Sequence, residues 1–302
     1  MKTKKAVFLA LALLVVLAAL PWQGALAAGT RYYVKQGGDD SKDGLSWENA
    51  KANLKAVMDA AGFGDEIWVA AGTYSPGGDP ADTFRLKRGV KVYGGFAGNE
   101  GSPNERDLSN AANKTTLDGG GTNYHVVTGG LNATPADTRL DGFTITGGKA
   151  NGSNFADKLG GGMYNVSSSP TVANCVFSGN TAIGNGGGMY NISNSSPAVE
   201  NCVFSGNTGV IFGGGMYNDS SSPAVEGCAF SGNTTNGVGG GIYNANSSPA
   251  VTNCTFSGNT ANNNGGGMYN SNASSPAVTN CAFSGNTANN SGGGMSNDNS
   301  SP

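Results

Sequence analysis

Residues 186–191 read GGGMYN and residues 196–208 read SPAVENCVFSGNT, and this pair of phrases recurs with small changes over residues 160–302. The five cysteines of the chain mark the copies, since each lies 26 or 27 residues after the one before it. The residue after each glycine triplet keeps the same period. Two markers with one period indicate structural units that stack on one another as a solenoid.

Several repeat architectures are excluded by composition. No leucine follows Leu159, so a leucine-rich repeat has no core residues. Glycine does not occur at every third position, which excludes collagen, and the repeats lack the recurring aspartate of a calcium-binding β-roll. Apolar residues recur in strict register, which a disordered Ser/Asn/Gly-rich tract has no reason to maintain.

The pattern within one copy predicts short strands. Cys202 and Phe204 are two residues apart, so they share one face of an extended chain. The position before each cysteine is Asn or Gly, which tolerate left-handed backbone angles, so we expect a tight bend there. With Met-Tyr-Asn as a third strand, each copy forms one coil. The prediction is an all-β, right-handed parallel β-helix.

Stacked coils place equivalent residues above one another, about 4.8 Å apart. Two such ladders are predicted to fill the interior, together with valine and methionine columns. The cysteine ladder contains Cys175, Cys202, Cys228, Cys254 and Cys281. The phenylalanine ladder contains Phe177, Phe204, Phe230, Phe256 and Phe283.

The first 27 residues have the pattern of a signal peptide. Lysines 2, 4 and 5 precede an apolar run over 6–20, and Ala25-Leu26-Ala27 is a small-x-small cleavage site. We therefore expect export, to the extracellular space or the outer-membrane surface of a bacterium, with no transmembrane span in the mature chain. Removing three lysines leaves 14 basic and 20 acidic residues, a net charge of −6. That charge argues against nucleic acid as a partner.

The rest of the chain divides into three parts. Residues 28–65 are expected to form a lead-in and a capping helix that begins at Ser46 and ends at Gly62. Residues 66–158 are expected to form irregular coils with longer loops, and residues 159–302 the regular repeats. Because Pro302 falls in the middle of a sixth unit, we expect the chain to be a fragment of a longer protein.

Each copy also contains F-x-x-N, as in Phe204 to Asn207, beside its glycine-rich element. This pair resembles the repeats of chlamydial-type polymorphic outer membrane proteins. Residues 32–34, 68–74 and 93–98 resemble bacterial secreted right-handed β-helix proteins that carry such repeats. The family usually has Ala after the two glycines, where this chain has a third Gly. The resemblance implies a surface-exposed, adhesin-like passenger.

Three groups of side chains are candidates for chemistry or binding. Buried thiols are favoured for the cysteines, because stacked side chains point the same way and suit a disulfide poorly; disulfides are the alternative.

An outward tyrosine ladder either stabilises the coils by mutual stacking, which we favour, or binds glycans or cell-surface molecules. Its members are Tyr164, Tyr190, Tyr217, Tyr243 and Tyr269. Glu200 and Glu226 share one register and form a weak candidate for a cation site or an acid/base pair, although a chance surface pair is favoured.

Catalysis is not favoured. Lys and Arg are absent after Lys158, and the single histidine, His125, lies in a predicted strand and is interpreted as structural. Acidic residues of the irregular coils have no recognisable spacing: Glu100, Glu105, Asp107, Asp118 and Asp141. We assign no catalytic residue and no cofactor. The alternative is a carbohydrate-active lyase or hydrolase with its site in the irregular coils or in a missing C-terminal part.

Overall fold

A computed structural model describes residues 29–302, and the predicted signal peptide at 1–27 lies outside them. The described chain is an all-β, right-handed parallel β-helix, as the repeat pattern predicts. Its strands form four parallel sheets, which run along the stack of coils and contain nine, eight, six and eight strands. Equivalent strands of successive coils are neighbours in each sheet, so residues 26 or 27 apart lie side by side.

The sheets are numbered in the order in which a regular coil visits them. Sheet 1 contains Arg31–Val34, Glu66–Ala70, Lys91–Phe96, Arg139–Asp141, Thr171–Ala173, Ala198–Glu200, Ala224–Glu226, Ala250–Thr252 and Ala277–Thr279. Sheet 2 contains Gly72–Tyr74, Thr115–Asp118, Phe143–Thr146, Val176–Ser178, Val203–Ser205, Ala229–Ser231, Thr255–Ser257 and Ala282–Ser284. Sheet 3 contains Lys149–Ala150, Thr181–Ala182, Thr208–Gly209, Thr234–Thr235, Thr260–Ala261 and Thr287–Ala288. Sheet 4 contains Phe84–Leu86, Val127–Gly129, Met163–Val166, Met189–Ile192, Met216–Asp219, Ile242–Ala245, Met268–Ser271 and Met295–Asn297.

Sheet 3 is a fourth element of each regular coil, where the sequence predicted only three strands. Its strands are two residues long and follow the F-x-x-N turn, in which Gly206 has a φ of +60°. Two residues carry too little of an alternating pattern to be recognised, and only the neighbouring coils supply their partners.

The interior is filled by the predicted columns. Successive phenylalanine rings stack nearly parallel, and the centroids of Phe177 and Phe204 lie 4.7 Å apart. The bends before the cysteines have the predicted left-handed angles, with φ of +51° at Asn201 and +63° at Gly227. Such a bend turns the chain from sheet 1 to sheet 2 while Val199, Cys202 and Phe204 all remain fully buried.

The thiols are free and stacked. The N–H of Cys202 donates to Sγ of Cys228 at 3.4 Å, and the Sγ of Cys202 donates to the carbonyl oxygen of Glu200 at 3.3 Å. Burial raises the pKa of the Cys202 thiol well above its usual value. Because thiolate is the reactive form, the Cys202 thiol is inert as well as inaccessible.

We expect a thiol reagent to label at most one cysteine of the native protein quickly and all five after unfolding in denaturant. Cys175, Cys202, Cys228 and Cys254 are at most 2% exposed, whereas Cys281 is partly exposed. Mass spectrometry after brief labelling checks this count. Rapid modification of Cys202 or Cys228 in the folded protein would contradict the buried column.

Buried asparagines form two further columns that the sequence did not predict. Asn207 donates its Nδ2 to the Oδ1 of Asn233 and to the carbonyl oxygen of Phe177, at 3.0 and 2.9 Å. On sheet 4, Asn191 donates to Asn218 and Asn218 to Asn244, each at 2.8 Å. An amide has both donors and an acceptor, so identical side chains in register satisfy one another without water.

The N-terminal helix is shorter than predicted and begins elsewhere. It spans Leu54–Ala60, and its N-cap is Asn53, whose side chain accepts from the N–H of Ala56. Ser46 is not the cap, because bends and a turn occupy 45–49 and Lys51 then forms an isolated bridge with Val34. The N–H groups of Ala52 and Asn53 donate to Asp40. Within residues 29–302, no helix has the length and hydrophobicity that crossing a bilayer requires.

Candidate functional site

The tyrosine ladder is buried, which corrects the expectation of an outward, exposed stripe. Tyr190, Tyr217, Tyr243 and Tyr269 are 2–8% exposed, and only Tyr164 is partly open. The rings do point away from the helix interior, but the corner segments between sheets 3 and 4 cover them. Phe212, on one such segment, lies 5.2 Å from the ring of Tyr243.

Neighbouring tyrosine rings are in contact. Their centroids are 5.0 Å apart between Tyr190 and Tyr217 and 4.8 Å apart between Tyr217 and Tyr243. His125 extends the column, since its ring stacks on Tyr164 at 4.9 Å and its Nδ1 lies 3.1 Å from the carbonyl oxygen of Gly160. Burial lowers the pKa of His125, so a neutral ring donating to Gly160 is the favoured form. This arrangement supports mutual stacking rather than ligand binding.

Tyrosine burial predicts that stability falls at high pH. Burial raises the pKa of Tyr190 and Tyr217 above the usual 10.0. The folded state therefore holds these protons more tightly than the unfolded chain. The contribution of the two tyrosines to the free energy of unfolding is complete below pH 10 and is lost as the pH rises further. Above pH 10 the free energy of unfolding falls by up to about 1.4 kcal/mol per pH unit for each such tyrosine.

Denaturant unfolding measured at several alkaline pH values, with tyrosinate absorbance of the native protein, checks this slope. Tyr190→Phe keeps the packing and removes one titrating group, so it should flatten the dependence. Ionisation of the ladder tyrosines near pH 10 in the native protein, without loss of stability, would contradict the buried ladder.

Glu200 and Glu226 lie side by side on sheet 1, as their register predicts. They border a shallow cleft with Asn201 and Asn253. Glu200 Oε2 lies 3.7 Å from Nη2 of Arg139, so one of the two carboxylates already faces a cation. Among residues 29–302, no group of three or more His, Cys, Asp or Glu side chains is placed to hold a metal ion.

Most acidic residues of the irregular coils hold turns together. Glu100 accepts the N–H groups of Ala97 and Gly98 at 2.6 and 2.9 Å. Burial alone would raise the pKa of Glu100, but the hydrogen bonds from these backbone donors lower it overall. Among the candidates named from the sequence, Glu105, Asp107 and Asp118 accept backbone N–H groups in the same way.

Asp141 is the exception, because it joins a buried ion cluster. It is 2% exposed and lies between two arginines: Nη2 of Arg106 is 3.2 Å from Oδ1, and Nε of Arg139 is 2.8 Å from Oδ2. Nδ2 of Asn174 donates to Oδ1 at 3.1 Å. A buried carboxylate whose two oxygens are both occupied by donors suits a structural anchor better than a general acid.

Arg106 attaches the loop at 97–114 to sheet 1. Its guanidinium also donates to the carbonyl oxygens of Gly94 and Pro103, each at 2.8 Å, and lies 5.2 Å from the ring centroid of Tyr93. The loop forms one wall of a cleft of about 460 Å³ over the outer face of sheet 1. Residues 135–138 form the opposite wall.

Cations outnumber acids in this cleft. The charged lining residues are Lys91, Arg106, Arg139 and Asp141, which is three cations against one carboxylate. Lys91 and Arg139 are neighbours across the sheet and partly exposed, and the half-buried ring of Tyr93 lies beside them. Burial is the main cause that raises the pKa of Tyr93, so the phenol stays neutral.

The sequence did not identify this cluster. The sequence pattern indicates Asp141 as an acidic candidate but indicates neither of the two arginines. Arg106 and Asp141 are 35 residues apart and belong to coils without a regular period, so no spacing connects them. The only sequence signal is the confinement of all Arg and Lys to the chain up to Lys158.

The comparison with protein families agrees with the fold. Residues 124–301, more than half of the chain, match the family described as "Right handed beta helix region". A solved structure titled "Rhamnogalacturonan lyase" is similar at 12% identity with a TM-score of 0.40, covering 86% of this chain and 74% of that one. No curated protein matches the chain.

Proposed function

This chain belongs to the right-handed β-helix family, and we propose that it is an exported bacterial protein that acts as an adhesin-like or structural passenger. Its partners would be glycans or molecules of a neighbouring or host cell surface. The signal-peptide pattern of residues 1–27 supports export. The resemblance of its repeats to polymorphic outer membrane proteins supports a surface location.

The observation that carries the proposal is the uniform outer surface of the regular coils. Serines 178, 205, 231, 257 and 284 form one ladder on sheet 2, and threonines 181, 208, 234, 260 and 287 form another on sheet 3. These faces carry hydroxyl groups at the spacing of β-strands, about 4.8 Å. A surface that repeats one chemical group can engage a repeating polymer at several points, which raises avidity without a strong single contact.

Binding of the purified protein to a glycan panel and to intact cells tests this proposal. We expect Ser231→Lys combined with Ser257→Lys to reduce binding, because long charged side chains then interrupt the ladder. Asn236→Lys combined with Asn262→Lys adds the same charges on an exposed corner and serves as the matched control. Equal binding by both double variants, or no binding by the unaltered protein, would reject a role for the ladder.

The second candidate is a carbohydrate-active enzyme, and the charged cleft over sheet 1 favours it. Arginine and lysine near an acidic sugar are what a polysaccharide lyase requires. Against catalysis, Arg106 and Arg139 are both engaged by Asp141, and the carboxylates of the surrounding turns are capped by N–H groups. Incubation with pectins, alginate and neutral polysaccharides, followed by assays for unsaturated and reducing ends, separates the two candidates.

A further inference from the structure

We propose that the cleft over sheet 1 binds the carboxylate or sulfate group of an acidic sugar, and that Glu200 competes with this ligand for Arg139. The inference rests on the proposed glycan-binding function and adds the ligand class and the residues. It requires binding only and no bond cleavage.

The first argument is charge. The cleft lining carries three cations and one carboxylate, whereas the chain as a whole has a formal charge of −3. Arg106 and Asp141 neutralise each other below the surface, where their side chains are 8% and 3% exposed. Lys91 and Arg139 are partly exposed in the cleft. Arg139 is paired with Asp141 and Glu200, whereas Lys91 makes no ion pair with any residue of the described chain 29–302.

The second argument is shape. A cleft of about 460 Å³ lies within the usual size of small-ligand sites, about 300–1,000 Å³. Beside Lys91 and Arg139, the partly exposed ring of Tyr93 offers a flat apolar surface with a neutral hydroxyl. Aromatic rings suit the C–H faces of sugar rings because both surfaces are apolar.

The third argument concerns Arg139, whose two carboxylate partners are unequal. Asp141 is buried at 2.8 Å from Nε, while Glu200 is 43% exposed at 3.7 Å from Nη2. A solvent-exposed contact of that length is worth little. A ligand anion at Arg139 would therefore displace Glu200 at small cost, while Asp141 continues to orient the guanidinium.

This competition predicts opposite effects from two substitutions. Lys91→Gln removes an attractive charge and should weaken binding of an acidic oligosaccharide about fivefold, whereas Glu200→Gln should tighten it about twofold to fivefold. Asp219→Asn removes an equal charge on sheet 4 and should leave the affinity unchanged. Raising the salt concentration should weaken binding of the unaltered protein.

Isothermal titration with a uronic-acid oligomer, a sulfated oligomer and a neutral oligomer of equal length measures these effects on the full chain. Binding of either acidic oligomer, with tightening by Glu200→Gln and weakening by Lys91→Gln, supports the proposal, and the preferred oligomer identifies the anionic group. Acidic oligomers that bind without responding to either substitution would overturn it. Binding of the neutral oligomer alone would also overturn it, yet would leave the proposed glycan-binding function intact.

Discussion

Gly214→Ala is expected to prevent folding or to destabilise the protein by more than about 4 kcal/mol. Gly214 is the second glycine of its triplet, where the coil backbones approach one another closely. A Cβ there would lie 2.5 Å from the carbonyl oxygens of Gly240 and Thr234 and 2.7 Å from the Thr234 nitrogen. All three atoms belong to backbone that neighbouring coils hold in place, so local movement cannot relieve the overlap.

Gly232→Ala is the matched control from the same stretch of repeat. Gly232 has a φ of +61°, but an added Cβ would meet no atom within 4 Å. Its cost is the left-handed conformation alone, about 1–2 kcal/mol. Expression, far-ultraviolet circular dichroism and denaturant unfolding of both variants measure the difference, and a Gly214→Ala protein as stable as Gly232→Ala would contradict the close approach of the coils.

Arg106→Met is expected to destabilise the protein by about 3–5 kcal/mol. The substitution preserves much of the apolar contact with Tyr93 and Phe96 but leaves the buried carboxylate of Asp141 with one arginine instead of two. It also removes the donors to Gly94 and Pro103. We therefore expect the loop at 97–114 to detach from sheet 1 before the coils unfold.

Limited proteolysis within 97–114 and denaturant unfolding monitored by tryptophan fluorescence detect the two events. Trp47 reports on the loop directly, because its Nε1 donates to the carbonyl oxygen of Glu100 at 3.0 Å. Arg85→Met, at an exposed position on sheet 4, is the control for losing an arginine. If Arg106→Met resists proteolysis as well as Arg85→Met does, the cluster does not anchor the loop.

The third glycine of the triplet is a departure from the resembled repeats, which usually have alanine there, and the packing of the coils explains it. A Cβ at Gly215 would lie 2.6 Å from the carbonyl oxygen of Gly241 and 3.0 Å from the ring of Phe230. In this chain the backbone of the next coil comes closest to the space that an alanine methyl would need, so the third glycine permits the close approach of the coils.

Much of the fold was predictable from the amino-acid sequence alone. Side chains that recur every 26 or 27 residues and alternate along a strand determine which residues face the interior, and the Cys202 and Phe204 columns follow from that. Asn201 and its equivalents indicate the bends, because few other residues tolerate their positive φ. These are local or strictly periodic properties, which a sequence records directly.

Tertiary structure alone decided the rest. Alternation predicts that Tyr217 points outward, but the corner segments determine that it is covered, and a loop's path is not periodic. The cluster of Arg106, Asp141 and Arg139 forms because irregular coils bring distant residues together on sheet 1. Periodic stacking is therefore encoded in the repeat, whereas burial by loops and the charged cleft depend on long-range contacts that no repeat specifies.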